Sequence, residues 1–217
     1  MVISARVALV LLAGLLLASV ATAQQNAKSA PSPAQAPDAG SMADGVYRNS
    51  FFGFDYKPHF GWVDRIKEMR EDSDGDSSAD SNPSKKPIVL LAVFERPPEA
   101  SGDTVNSGVV IAAEPAASYP GLRSAEQYFG PLTELTKSKG LNVVNEPYDL
   151  RVGTTQLVRG DFSKPMGSLT MHQSTLVMIE KGYVVSFTFI AGSEDEVDQL
   201  VEGLSFSRKE TPPAQRK

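Results

Sequence analysis

The stretch Gly182–Ser207, GYVVSFTFIAGSEDEVDQLVEGLSFS, decides how the rest of the chain is read. Tyr183, Val185, Phe187 and Phe189 fall on one face of an extended segment, and Val184, Ser186, Thr188 and Ile190 on the other. Both faces carry apolar groups. Ser193-Glu-Asp-Glu196 then has the spacing of a capping box, with acids in the first turn where the helix dipole favours them. Val197, Leu200, Val201 and Leu204 recur as the buried stripe of the helix that follows.

Working outward, Lys181-Gly182 stands where a hairpin turn is required, and Ser168–Glu180 supplies the preceding strand. Thr154–Phe162 extends the meander by another strand. Ser124-Ala-Glu-Gln127 is a second capping box, followed by Tyr128, Leu132 and Leu135 on one helical face and by Gly140 as the stop. Pro131 interrupts that pattern and predicts a kink, or two short helices meeting at Gly130. Pro87–Phe94 and Ser107–Ala113 are apolar runs of strand length, expected as central strands covered on both faces. Val63–Met69 reads as a short helix.

Upstream lies YRNSFFGFDYKPHFGW, Tyr47–Trp62, with seven of the chain's seventeen aromatic residues. Phe52, Phe54 and Tyr56 share one face of an expected strand, Phe51–Tyr56, with Phe51 on the opposite face, and Pro58 removes the next ladder donor. Periodicity assigns these rings to the core. It does not govern the flanking Tyr47, Phe60 and Trp62, which are the candidate ligand or partner surface.

Residues 1–23 place Arg6 before an apolar run, followed by Ala21-Thr22-Ala23, the order of a secretory signal peptide cut after Ala23. The run is shorter than the roughly 20 residues that span a bilayer, so no membrane insertion is expected after cleavage. Residues 24–45, rich in Ala, Pro, Ser and Gln, are expected as a disordered linker. One α/β domain is expected over 46–207, with a mobile acidic loop at 71–86 and a polar tail at 208–217. The chain has no cysteine, so an exported domain of this composition must fold on packing alone. Loss of Arg6 leaves 20 basic and 26 acidic side chains, a net charge of −6, which disfavours nucleic acid and anionic lipid.

The opening FGFDYKPHFGW, the helix after a central pair of strands, and the closing GYVVSFTFIAGSEDEVDQLVEGLSFS together resemble the PsbP/DcrB-like family over about Tyr47 to Ser207. The resemblance implies an α+β fold: an antiparallel β-sheet with helices on both faces, an α/β/α sandwich. It also implies a binding or accessory module without a catalytic centre, and a general secretory signal in front of such a fold implies the periplasm or the medium as its place. The partner it implies is a protein or an apolar small molecule. No functional residue of the family is carried over, because the matching motifs are packing motifs.

The chain holds no Gly-x-Ser-x-Gly, His-Glu-x-x-His, Ser-x-x-Lys, Gly-Lys-Ser/Thr or Gly-x-Gly-x-x-Gly pattern, and no cofactor is expected. Its two histidines, His59 and His172, are far apart in sequence. A hydrolase built on His172 and dispersed partners is the alternative to a binding module. A third reading, a calcium-stabilised structural protein, rests on Asp72, Asp74, Asp76 and Asp80. Against it, an EF-hand register starting at Asp72 puts Ser77 where glycine belongs and Pro83 where the bidentate glutamate belongs.

Overall fold

A computed structural model of the chain describes residues 37–75, 87–100 and 102–206, with 72–75 by backbone only. It opens with three short strands, β1 (Ser41–Ala43), β2 (Val46–Asn49) and β3 (Phe54–Tyr56). Strand β4 (Val63–Asp64) leads into helix α1 (Ile66–Gly75). Strands β5 (Ile88–Phe94) and β6 (Gly108–Pro115) precede helix α2 (Ala125–Ser138). A meander of β7 (Asn142–Val152), β8 (Thr155–Met166), β9 (Leu169–Glu180) and β10 (Tyr183–Ala191) follows. Helix α3 (Glu194–Glu202) and strand β11 (Leu204–Phe206) close the described chain.

These strands form two antiparallel sheets, β4-β5-β6-β10-β9-β8-β7 and β1-β2-β3-β11. Strand β10 is the centre of the larger one, which is why apolar side chains occupy both of its faces. On one face Phe187, Phe189, Val109, Ile111 and Leu176 pack with Phe54, Tyr56 and Leu204 of the small sheet and with Val197 and Leu200 of α3. On the other, Tyr128 and Phe129 of α2 cover Phe162, Val177 and Val184, while Met69 of α1 meets Val89, Phe94 and Val110. Helices therefore lie on both faces, and the class is α+β as expected; the small sheet beside α3 is an addition to that plan. Burying each large ring stabilises by about 2–3 kcal/mol, the main term available to a domain without disulfides.

Local chemistry explains the well-read elements. Lys181 (φ 52°) and Gly182 (φ 82°) both take left-handed conformations, the geometry of a two-residue hairpin turn. Ser193 Oγ accepts from the Glu196 N–H at 3.2 Å, and Glu196 reaches back to the Gly192 N–H at 3.1 Å.

Several expectations are corrected. Phe51 to Gly53 form a turn, with the Gly53 N–H donating to Asn49 at 2.8 Å, so the strand begins at Phe54 and Phe51 packs on the same core as Phe52. The expected linker contains β1, and Asp38 already accepts from Asn49, so folded structure begins before Val46. Helix α1 starts at Ile66 and runs to Gly75, so Glu71–Gly75 is helical where a loop was expected. Leu204 belongs to β11 and not to the helix stripe, because α3 has ended at Gly203. Ser124 makes no side-chain cap; Gln127 instead accepts from the Arg123 N–H at 2.8 Å. One helix runs through Pro131 in place of two short helices meeting at Gly130, since packing of Tyr128 and Phe129 outweighs the missing hydrogen bond. Strand β7 was not anticipated at all.

Candidate functional site

The turn from Lys57 to Trp62 is held at both ends. The Lys57 N–H donates to the Gly203 carbonyl at 2.9 Å, just after Tyr56 pairs with Leu204. At the far end Val63 pairs with Phe94 of β5. Gly61 (φ 84°) supplies a left-handed step that other residues enter only at a cost. The half-buried Trp62 packs against the core, with its ring 5.2 Å from that of His59. Between these anchors Phe60 is completely exposed, at 106% of its reference area. A large apolar ring is thus presented to solvent from a turn fixed at both ends.

Among the sequence candidates, Phe60 and Trp62 therefore lie together on this turn. Tyr47 does not join them: it is 2% exposed, and its hydroxyl donates to the Ala39 carbonyl at 2.8 Å. Its place facing the core, opposite Tyr56 in the β2–β3 ladder, corrects the expectation of a partly exposed ring. A shallow groove of about 430 Å³ runs beside α1 and is lined by Asp64, Ile66, Lys67, Glu68, Arg70 and Glu71. Five of these six lining side chains are charged.

Asp72 and Asp74 fall within the helical backbone of α1, whereas Asp76 and Asp80 lie outside the described residues. Ala21 and Ala23 of the expected cleavage site also lie outside them. Among the described residues, no group of three or more His, Cys, Asp or Glu side chains is placed to hold a metal ion.

Two polar clusters escaped sequence reasoning. Asp161 of β8 is 8% exposed and accepts from Ser174 Oγ, from Arg159 Nε at 2.7 Å, and from Asn145 Nδ2 and the Tyr148 hydroxyl at 3.1 Å. Arg159 also meets Asp198 of α3 at 2.7 Å. Burial would raise the Asp161 pKa, but the bonds from Ser174, Arg159 and Asn145 and the arginine charge outweigh it and hold the carboxyl below its ordinary value. The Tyr148 hydroxyl is pushed up to about 12, by burial first and then by the Asp161 charge. Asn145 and Tyr148 flank Pro147, and the register shifts around them aim both side chains at one carboxylate. The second cluster joins Glu114 to Tyr119 and Tyr128.

His172 is half-buried on β9, with Nδ1 3.7 Å from Glu194, longer than a hydrogen bond. Ser174, two residues on, is committed to Asp161 and Arg159. The single signal that could have located these clusters is an acid inside a strand whose neighbours are apolar, as at Glu114 after Val109–Ala113.

No protein-family model matches the chain, and no curated protein matches it. Among solved structures, cyanobacterial PsbP from Synechocystis is similar at 13% identity, with 77% of this chain and 98% of that one covered and a TM-score of 0.45. A Pseudomonas aeruginosa protein of unknown function, described as a putative regulator, matches at 12% identity, covering 65% and 94%, with a TM-score of 0.39. LpqN of Mycobacterium tuberculosis, described as involved in cell envelope biogenesis, matches at 14% identity, covering 59% and 87%, with a TM-score of 0.32. Among the described residues no helix is long and apolar enough to cross a membrane.

Proposed function

We propose that this chain is an exported, non-catalytic binding or accessory module that docks a protein partner through the Phe60 turn. The observation carrying the reading is the fully exposed Phe60 ring on a turn anchored at Lys57 and Trp62. An apolar ring already held in place loses little conformational freedom on binding, and aromatic side chains supply much of the energy at interfaces. A protein surface suits it better than a small apolar ligand, because a ring exposed at 106% of its reference area has no cleft wall beside it. Export rests on the leader-like residues 1–23.

The test compares wild-type and Phe60→Ser protein as baits in envelope and medium fractions of the native host, quantified by mass spectrometry. Loss of a captured protein by about tenfold or more in the variant supports docking at this turn. Identical capture profiles from the two baits would remove it.

A further inference from the structure

Strand β7 (Asn142–Val152) is an outer edge of the large sheet: β8 pairs with one side of it, and among the described residues no strand pairs with the other. An open row of backbone donors and acceptors is a template for another strand, and folds commonly blunt such edges. The first half of β7 is blunted. Pro147 lacks a donor, and the ladder to β8 shifts register between Val143 and Asn145 and again between Asn145 and Tyr148. The second half is not: Tyr148, Asp149, Leu150, Arg151 and Val152 pair with β8 one for one, up to the turn at Gly153 (φ 58°).

The side chains of this regular stretch divide by face. Leu150 and Val152 pack against the core beneath α3 and the small sheet, and the Tyr148 hydroxyl reaches Asp161 on that same side. Asp149 and Arg151 alternate to the other face, where both are exposed. Among the described residues neither makes an ion pair or a side-chain hydrogen bond. Two opposite charges thus stand two residues apart on an open edge, with Leu150 between them.

That order is self-complementary. When two copies pair antiparallel about a two-fold axis, directly opposite side chains share a face, so the axis falls on a residue and that residue meets its own copy. With the axis at Leu150, Asp149 of each copy faces Arg151 of the other, which gives two ion pairs on one face. On the other face Leu150 meets Leu150, and each Tyr148, 40% exposed in the single chain, meets a Val152. Pro147 falls opposite Gly153, where the ladder ends. Moving the axis by one residue sets Asp149 against Asp149 or Arg151 against Arg151, and like charges directly opposite repel. Of the registers centred on this stretch, the one at Leu150 alone sets both charges against their opposites.

We propose that the chain forms a weak two-fold dimer through Tyr148–Val152 of β7, joining two seven-stranded sheets into one. The Phe60 turn leads into β4, at the other edge of the sheet, so dimerisation leaves both turns free.

Sedimentation velocity from micromolar to millimolar protein should show a reversible monomer–dimer equilibrium. Amide exchange in wild type should slow at 148–152 as concentration rises. Asp149→Arg and Arg151→Asp each replace both ion pairs by like-charge contacts, so either variant alone should dimerise at least about tenfold more weakly. An equal mixture of the two should recover dimers, because every charge across the axis then meets its opposite, and so should the double variant with the charges exchanged. Denaturant melts should agree across all forms, since both side chains are exposed in the single chain. A wild type that stays monomeric over the whole range overturns the dimer, and resistant 148–152 amides in that monomer would show the edge covered by another segment of the chain. A dimer that neither substitution weakens lies on a different surface, and single variants that stay monomeric when mixed refute the register. The two wild-type measurements need no variant, so a poorly folding one leaves the dimer open to refutation.

Discussion

The ring of Phe129 on α2 rests on Gly160 of β8: a Cβ at position 160 would lie 2.5 Å from Phe129 Cε1. That separation is far inside van der Waals contact, so the glycine is required by the helix above it and not by its own backbone. The pair sets how closely α2 approaches the large sheet, and with it the position of Tyr128 over Glu114.

Gly160→Ala should therefore lose about 1–3 kcal/mol through overpacking. In a Phe129→Leu background the same alanine should cost clearly less, because the atom it strikes has gone. Urea unfolding of the four proteins measures the coupling. A neutral Gly160→Ala in the wild-type background would show that the helix rides higher than described.

Asp161→Asn addresses the cluster that ties β7, β8, β9 and α3 together. Removing the charge leaves Arg159 with Asp198 and with one weakened partner, so a loss of about 3 kcal/mol at pH 7 is expected. Asp161 has a lowered folded pKa, so its contribution is present above the unfolded value near 3.8 and is lost as pH falls through the folded one. The stability gap between wild type and variant should consequently narrow on acidification below about pH 4. An unchanged gap at pH 7 and pH 3 would mean that its charge plays no part.

Where one physical rule governed a segment, the chain could be read directly. Tyr183–Ala191 alternates because both faces are covered, and Lys181-Gly182 turns because two left-handed residues are needed there. Strand β7 stayed hidden because an edge strand needs little apolar surface: most of its side chains are exposed, and Pro147 is tolerated at an irregularity in the ladder. Phe51 misled for a different reason. Period-2 alternation continues on paper through Gly53, whose φ of 74° breaks the strand. For the site, Phe60 and Trp62 stood out as aromatics beyond the alternation, whereas Tyr47 was placed by its strand partner, a relation that only the β2–β3 ladder shows. The Asp161 and Glu114 clusters draw on residues up to dozens of positions apart, and no spacing rule joins them.

Gly182→Ala isolates the turn between β9 and β10. With φ at 82°, an alanine must adopt the left-handed region at a cost of about 1–2 kcal/mol. The register below it, Tyr183 to Glu180, should survive, since the burial of Phe187 and Phe189 specifies which face points inward. Thermal unfolding and amide exchange in β10 check both halves of this expectation; a shifted register without loss of stability would contradict it.

Phe60 and Trp62 stand two residues apart and should respond oppositely to substitution. Trp62 packs on the core, so Trp62→Ala should destabilise the domain by about 2 kcal/mol. Phe60 buries nothing in the free protein, so Phe60→Ser should leave stability within about 0.5 kcal/mol. If the ring docks into a partner, the same Phe60→Ser should still abolish capture, separating a binding role from a packing role in one protein. Denaturant melts beside quantitative capture make the comparison. A clear loss of stability in Phe60→Ser would place that ring against the fold and leave the turn without a reason to bind.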